Sequence, residues 1–231
     1  MRSDVFDWRG IEEDLNQNGY ARIKNLLTPD ECAALIDGYS NGALYRSHIV
    51  MQQHGYGQGE YKYYAYPLPD LVAKLRDTFY PPLARIANNW AERLSIGTKY
   101  PELLADYTAQ CHAAGQVRPT PLILKYKTGD YNRLHQDLYG EHLFPLQMTV
   151  LLSARDSDFE GGEFILTEQR VRQQSRARVV PLQRADAVIF PVNQRPVQGK
   201  NGVLQVTMRH GVSDVWSGNR YTLGIIFHDA K

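Results

Sequence analysis

The chain has 231 residues, 22% of them charged, a formal net charge of +1 and two cysteines. That length suits one domain spanning residues 1–231, and the near-zero charge gives no support of its own for nucleic-acid binding. No apolar run reaches the ~18 residues needed to span a bilayer, and the acidic start at residues 1–7 lacks the apolar core of a secretory signal. Cys32 and Cys111 fit a reduced, cytoplasmic chain more simply than a disulfide.

Residues 20–24 alternate and predict a short strand. A helix start follows: Thr28 can cap, Pro29 occupies the first helical position, and Glu31 closes a capping box. Cys32, Leu35, Ile36 and Tyr39 then recur at helical spacing. A longer helical periodicity runs from Leu71 through Leu75, Phe79, Leu83, Ile86 and Trp90 to Leu94, and Pro81-Pro82 should kink it or split it in two. Residues 102–114 predict a further helix ending at Gly115. At about residue 117 the pattern changes. Beyond it the period falls to two, or to short apolar runs rich in β-branched residues. Strands are predicted near 122–127, 133–137, 147–153, 163–167, 178–182, 187–192, 203–212 and 221–228. Helices first and strands after define an α+β chain. Residues 1–117 would be mainly helical support and 118–231 a core of two packed sheets or a barrel, with the helices on the outer face of one sheet.

Chemistry concentrates in four positions. His135 and Asp137 stand two apart on a predicted strand, so their side chains leave the same face. His210 follows on a later strand. Two imidazoles and one carboxylate can occupy one face of a metal octahedron and leave the opposite face open, which suits non-haem Fe(II). The absence of cysteine from the set argues against structural zinc, but a catalytic zinc hydrolase can also use two histidines and an aspartate. Arg220, ten residues past His210, separates these readings. A dicarboxylic co-substrate such as 2-oxoglutarate brings its far carboxylate into an apolar barrel, where Arg supplies a rigid two-pronged donor. Thr222 faces the same way as Arg220 and can add a hydroxyl. The bland alternatives are polar residues at strand ends, a surface Arg and a strand-favouring Thr.

These residues identify a resemblance. Residues 124–137 (LKYKTGDYNRLHQD), the glycine turn at 161–164 (GGEF) and the strand 185–190 (ADAVIF) resemble the Fe(II)/2-oxoglutarate dioxygenase superfamily, prolyl-hydroxylase-like members above all, over about residues 119–229. More narrowly, residues 59–63 (GEYKY), 66–69 (YPLP), 138–142 (LYGEH), 166–170 (LTEQR) and 224–229 (GIIFHD) are similar to a bacterial group labelled nucleic-acid-related 2-oxoglutarate oxygenases. The resemblance implies a double-stranded β-helix (jelly-roll, cupin-like) core. It implies Fe(II) held by His135, Asp137 and His210, with O₂ and 2-oxoglutarate as co-substrates. It also implies 2-oxoglutarate held by Arg220 and Tyr126, and hydroxylation or oxidative demethylation with release of succinate and CO₂. His135-Gln136-Asp137 further matches the HQD of AlkB-like nucleic-acid dealkylases. Those enzymes carry an Asn two residues before the Tyr, where this chain has Leu124, and their carboxylate-binding Arg lies farther from the distal His.

The substrate is less legible. Residues 56–66 (YGQGEYKYYAY) hold Tyr61 and Tyr63, whose rings could stack on a base or pack as an ordinary Tyr-rich strand. Residues 170–178 carry four Arg, including Arg170 and Arg172, either a phosphate-facing patch or a solvated hairpin paired to acids. Tyr131 and Arg209 flank metal ligands. A modified or damaged nucleic acid, as in DNA repair, is the leading expectation. A protein side chain or small molecule is the first alternative, and a metal-binding cupin-like protein without turnover the second; no membrane partner is expected.

Overall fold

The computed structural model describes residues 5–138 and 140–231. Most of the acidic start and Tyr139 of the 138–142 stretch therefore lie outside the described residues. The element order is α1 (Trp8–Asn18), β1 (Ala21–Ile23), α2 (Pro29–Asp37), β2 (Tyr45–Val50), β3 (Gly57–Gln58), β4 (Glu60–Tyr64), α3 (Asp70–Arg93) and α4 (Leu104–Ala113). Then come β5 (Leu122–Lys127), β6 (Tyr131–His135), β7 (Leu146–Leu151), β8 (Phe159–Gly161), β9 (Phe164–Gln169), β10 (Arg176–Val180), β11 (Ala187–Pro191), β12 (Gln194–Gly199), β13 (Gly202–Val212) and β14 (Val215–Ile225).

The strands form two antiparallel sheets. The larger runs β1-β11-β7-β14-β5-β4-β2, with β8 paired to β14; the smaller runs β10-β9-β13-β6-β3, with β12 paired to β13. Strand alternation sorts the side chains between two cores. Leu223 and Ile225 of β14 and Val150 of β7 join Leu75, Phe79, Leu83 and Ile86 of α3 in a core on the outer face of the larger sheet. Tyr126, Leu151, Phe159, Phe164, Leu166, Phe190, Val212 and Val215 fill the space between the sheets.

The helix α2 starts as its sequence predicts: Thr28 accepts from the Glu31 amide, and Glu31 accepts from the Thr28 amide. The long helix departs from expectation. Pro81 and Pro82 sit inside α3, which runs without interruption through both. Val72, Leu75, Phe79, Leu83, Ile86 and Trp90 are all buried along it. Each contributes roughly 1.5–3 kcal/mol on burial, which outweighs a cost of about 3 kcal/mol per interior proline. The N-terminal half is also less helical than its pattern suggests. Residues 45–64 supply β2, β3 and β4, extending both sheets. The helix α1 was not signalled by a cap-and-period pattern, although Asp7 accepts from the Gly10 amide at its start. In the second half β5 falls on its predicted residues, whereas β6 ends at His135, β14 begins at Val215, and β8 and β12 are additional. Cys32 and Cys111 are buried and free. No helix among the described residues is long and apolar enough to cross a membrane.

One polar network fastens the end of β14 to the helices. Arg76 of α3 is 2% exposed. It donates from Nη2 to Asp229 Oδ1 at 2.7 Å and to the Phe227 carbonyl at 2.9 Å, and from Nε to the Ile226 carbonyl at 3.1 Å. His112 of α4 meets the other Asp229 oxygen at 2.8 Å. Arg76→Met would leave a buried carboxylate without its guanidinium, a loss of about 3–5 kcal/mol. Urea unfolding should show a fall of that order, and a change below about 1 kcal/mol would deny the network this role.

Candidate metal centre

The site is built by register. His210 of β13 is the direct cross-strand partner of His135 at the end of β6, and the two imidazole centroids are 4.2 Å apart. Asp137 lies just beyond β6, so the i, i+2 relation survives although the strand itself has ended. Its Oδ1 is 3.5 Å from His135 Nε2 and its Oδ2 3.2 Å from His210 Nε2. One ligand atom from each residue fits within a mutual 4.8 Å, the single such His/Cys/Asp/Glu group among the described residues. Donors roughly 2.1 Å from an ion and at right angles stand about 3 Å apart, so the spacing accepts one ion with little movement.

The protonation chemistry suits a divalent cation. His135 Nδ1 contacts the Arg133 carbonyl at 2.7 Å. A carbonyl can only accept, so Nδ1 carries a proton and Nε2 is the nitrogen left for a metal. Burial penalises a charged Asp137, but the two histidines outweigh it and hold the carboxyl well below the usual range. Burial, aided by neighbouring His135, lowers His210 and keeps it neutral. Burial also opposes charging His135, yet its hydrogen bond to Asp137 prevails and raises it.

A cavity of about 320 Å³ between the sheets holds the trio and reaches Arg220, Thr222 and Tyr126. Exposure grades along it. Tyr56 and Leu138 at one end are exposed, His135 is part-exposed, and Tyr126, Arg220 and Thr222 are buried. Arg220, 1% exposed, pairs in register with Tyr126. Its Nε and Nη1 are buried and find no hydrogen-bond acceptor among the described residues. The guanidinium carbon lies 5.5 Å from the Tyr126 ring and 5.8 Å from the Phe159 ring. Burial pulls its pKa down to about 10, so it stays charged at neutral pH. A buried cation with unpaired donors is costly unless an anion meets it, and the cavity floor is where one fits. The glycine turn makes room for it. Gly162 has φ +58°, and a Cβ there would lie 2.8 Å from Arg220 Cδ. Tyr126 is fully buried, which pushes its hydroxyl up to about 12; the hydroxyl accepts from Asn132 Nδ2 at 3.4 Å.

The remaining sequence candidates separate. Tyr61 lines the cavity. Tyr63 does not; it packs with Leu122 and Ile226, under the Arg46 guanidinium at 4.4 Å. Tyr131 sits beside Arg133, outside the lining. Arg209 is exposed, between the inward Met208 and His210. Arg170 pairs with Glu168 at 2.9 Å, and Arg172 is exposed at a turn with φ +60°. Gln147, Thr149 and Asn132 line the cavity without having been singled out in the sequence. A signal existed for Gln147 and Thr149: both are polar side chains in β7, a strand buried at every position, and buried polar groups are the informative ones.

Two facing antiparallel sheets with this trio and a buried cation between them define a class, the 2OG-Fe(II) oxygenases. The fold is shared with a prolyl hydroxylase from Trichoplax adhaerens solved with a hypoxia inducible factor peptide fragment (TM-score 0.60, 13% identity, 98% of this chain and 90% of that one). It is shared too with a 2OG-Fe(II) oxygenase family oxidoreductase from Burkholderia pseudomallei (TM-score 0.56, 12% identity, 100% and 95%) and a prolyl-4-hydroxylase from Pseudomonas putida (TM-score 0.52, 13% identity, 94% and 96%). Within that class, residues 59–230 match the Oxygenase-NA family, described as an oxygenase catalysing oxidative methylation of damaged DNA, and the chain belongs to this family. An uncharacterized protein of Mycobacterium tuberculosis is 47% identical over 164 residues, 71% of this chain and 70% of its own length. The protein is a 2-oxoglutarate-dependent non-haem iron oxygenase.

Because His135 is held protonated above its ordinary range, it must lose that proton before Nε2 can take an ion. Metal affinity should therefore fall as pH is lowered from about 8 to about 6. Calorimetric titration with Mn(II) reads this directly. A pH-independent affinity would exclude a histidine ligand that titrates in this window.

Proposed function

We propose that the two sheets form a double-stranded β-helix in which His135, Asp137 and His210 hold Fe(II). Arg220, with Thr222 and Tyr126, holds the far carboxylate of 2-oxoglutarate, and the substrate is a modified or damaged nucleobase. The observation that carries this reading is the buried Arg220 guanidinium, whose Nε and Nη1 meet no acceptor among the described residues, in the same cavity as the trio. When bound, iron and 2-oxoglutarate supply the oxidising chemistry, which delivers one oxygen atom of O₂ to a substrate C–H bond and the other to succinate with loss of CO₂.

The chain's own residues do the positioning. Arg220 offers two buried N–H donors, and Thr222, two residues on and on the same face, adds a hydroxyl. An anionic tail is thereby oriented from one end, with its other end left toward the trio. Leu124, Phe164, Phe190 and Val212 wall the cavity with apolar surface and limit water. Tyr56 and Tyr61 offer flat faces at the open side, against which a flipped-out base can stack. The family description favours a nucleic-acid substrate. Exposed Arg172, at the turn after β9, offers a cation outside the slot that suits a phosphate, whereas Arg170 is paired to Glu168.

A second reading has its own observation. Apart from Arg220, no Lys or Arg among the described residues lines the cavity, and a slot without further cations also admits an uncharged side chain of a protein. Succinate formation in the presence of Fe(II), O₂ and 2-oxoglutarate separates the two. Methylated oligonucleotides should stimulate it and peptide pools should not; the reverse would replace the nucleobase with a protein side chain. Arg220→Ala should raise the half-saturating 2-oxoglutarate concentration by roughly 30- to 1000-fold, as expected for about 2–4 kcal/mol from a buried charged contact, with Mn(II) affinity little changed. An Arg220→Ala enzyme with wild-type 2-oxoglutarate dependence would refute the anion-site assignment. His135→Ala should abolish succinate formation.

A further inference from the structure

We propose that Gln147 is a positioning residue for the metal centre. Its side-chain amide holds one oxygen of Asp137 and so leaves a single carboxylate oxygen for the ion. The inference rests on the reading of His135, Asp137 and His210 as the metal site. Gln147 stands on β7 in the larger sheet, paired in register with Phe190 of β11, and is 4% exposed. It reaches across the space between the sheets. Its Nε2 lies 2.8 Å from Asp137 Oδ2 and 3.3 Å from His210 Nε2.

The orientation of the amide follows from charge. A carboxylate that ligates an ion is deprotonated and can only accept, so a reversed amide would set an oxygen against a carboxylate oxygen at 2.8 Å. The donor therefore faces Asp137. That leaves Gln147 Oε1 pointing elsewhere, buried and without a donor among the described residues. A buried acceptor left unsatisfied costs about 1–3 kcal/mol. The strand accommodates it because the opposite end of the amide meets a charged partner. With an ion on His210 Nε2, that nitrogen has no lone pair to offer, and Asp137 Oδ2 remains the acceptor for the amide.

The consequence concerns coordination number. A carboxylate can bind a cation through one oxygen or two. Three open positions, for a two-point co-substrate and O₂, exist only if Asp137 occupies one. A hydrogen bond that occupies Oδ2 favours the one-oxygen mode and fixes the torsion of a ligand that lies beyond the end of its strand. Asp137 lies beyond the end of β6 whereas His210 is paired within β13, and the Gln147 amide acts directly on the Asp137 carboxylate. A leucine at the position fills similar space without a donor, and an asparagine is too short by one methylene to keep the contact.

The test uses the full chain and Co(II) alone, followed by its visible absorption, which reports ligand number and geometry. Gln147→Leu should weaken Co(II) binding by roughly 10- to 100-fold, the usual effect of removing an outer partner of a metal ligand. It should also alter the Co(II) spectrum, and the metal-free protein should keep its cooperative unfolding. Gln147→Met provides a second, more flexible apolar replacement and decides the matter if the Leu variant does not fold. Co(II) affinity within twofold of wild type and an unchanged spectrum in either folded variant would overturn the proposal. His135→Ala is run beside them and addresses the underlying reading. If it binds Co(II) like wild type, the trio is not the metal site and the proposal falls with it; if it loses Co(II) while the Gln147 variants keep theirs, only the role of Gln147 is refuted.

Discussion

The antiparallel pairing of β13 with β6 is the constraint on which the site depends. It makes His210 and His135 cross-strand neighbours and points both rings into the space between the sheets. Side chains alternate along a strand, so a slip of one residue would turn His210 outward and bring exposed Arg209 into its place. Several features defend that register. Thr207–Val212 pairs along its other edge with β9, Phe164 and Phe190 pack near the His210 ring, and Gln136 donates to the Met208 carbonyl at 2.9 Å, fastening the residue between the two ligands to the facing strand.

The electrostatics of the cavity follow from the same two-sheet geometry. One end gathers a carboxylate held ionised and an imidazole held neutral; the other holds a guanidinium whose Nε and Nη1 meet no acceptor among the described residues. Such an arrangement is a poor way to stabilise a fold, since buried unpaired donors are penalised. It is a good way to select a molecule that is anionic at one end and metal-binding at the other. Gly162 shows how local backbone serves the arrangement: its left-handed φ and missing Cβ let the Arg220 side chain lie across the turn.

Much of this was legible because the chemistry uses residue types that strand alternation rarely scatters into this order by chance. His135, Asp137, His210 and Arg220 stood out by spacing, and β5 and the capped start of α2 fell where local rules put them. What escaped notice depended on distant packing. The uninterrupted α3 is stabilised by the core beneath it and not by its own propensity, which Pro81 and Pro82 argue against. The strands β3 and β4 looked ambiguous because a Tyr-rich segment suits both a pocket wall and an ordinary strand. In the event Tyr61 faces the cavity and Tyr63 a satellite core. Gln147 lies ten residues from Asp137 in sequence and on the other sheet, so nothing local pairs them.

The family likeness begins at residue 59, but the architecture does not. The strand β1 covers the outer edge of β11, β3 borders β6, and Tyr56 stands in the cavity lining. Arg195 of β12, itself buried against Glu168, donates to the Asn16 carbonyl near the end of α1. Residues 5–58 thus act as a clasp: without them the edge of β11 would present unpaired amides to any passing strand, and the oxidation chamber would lose part of its lining at Tyr56.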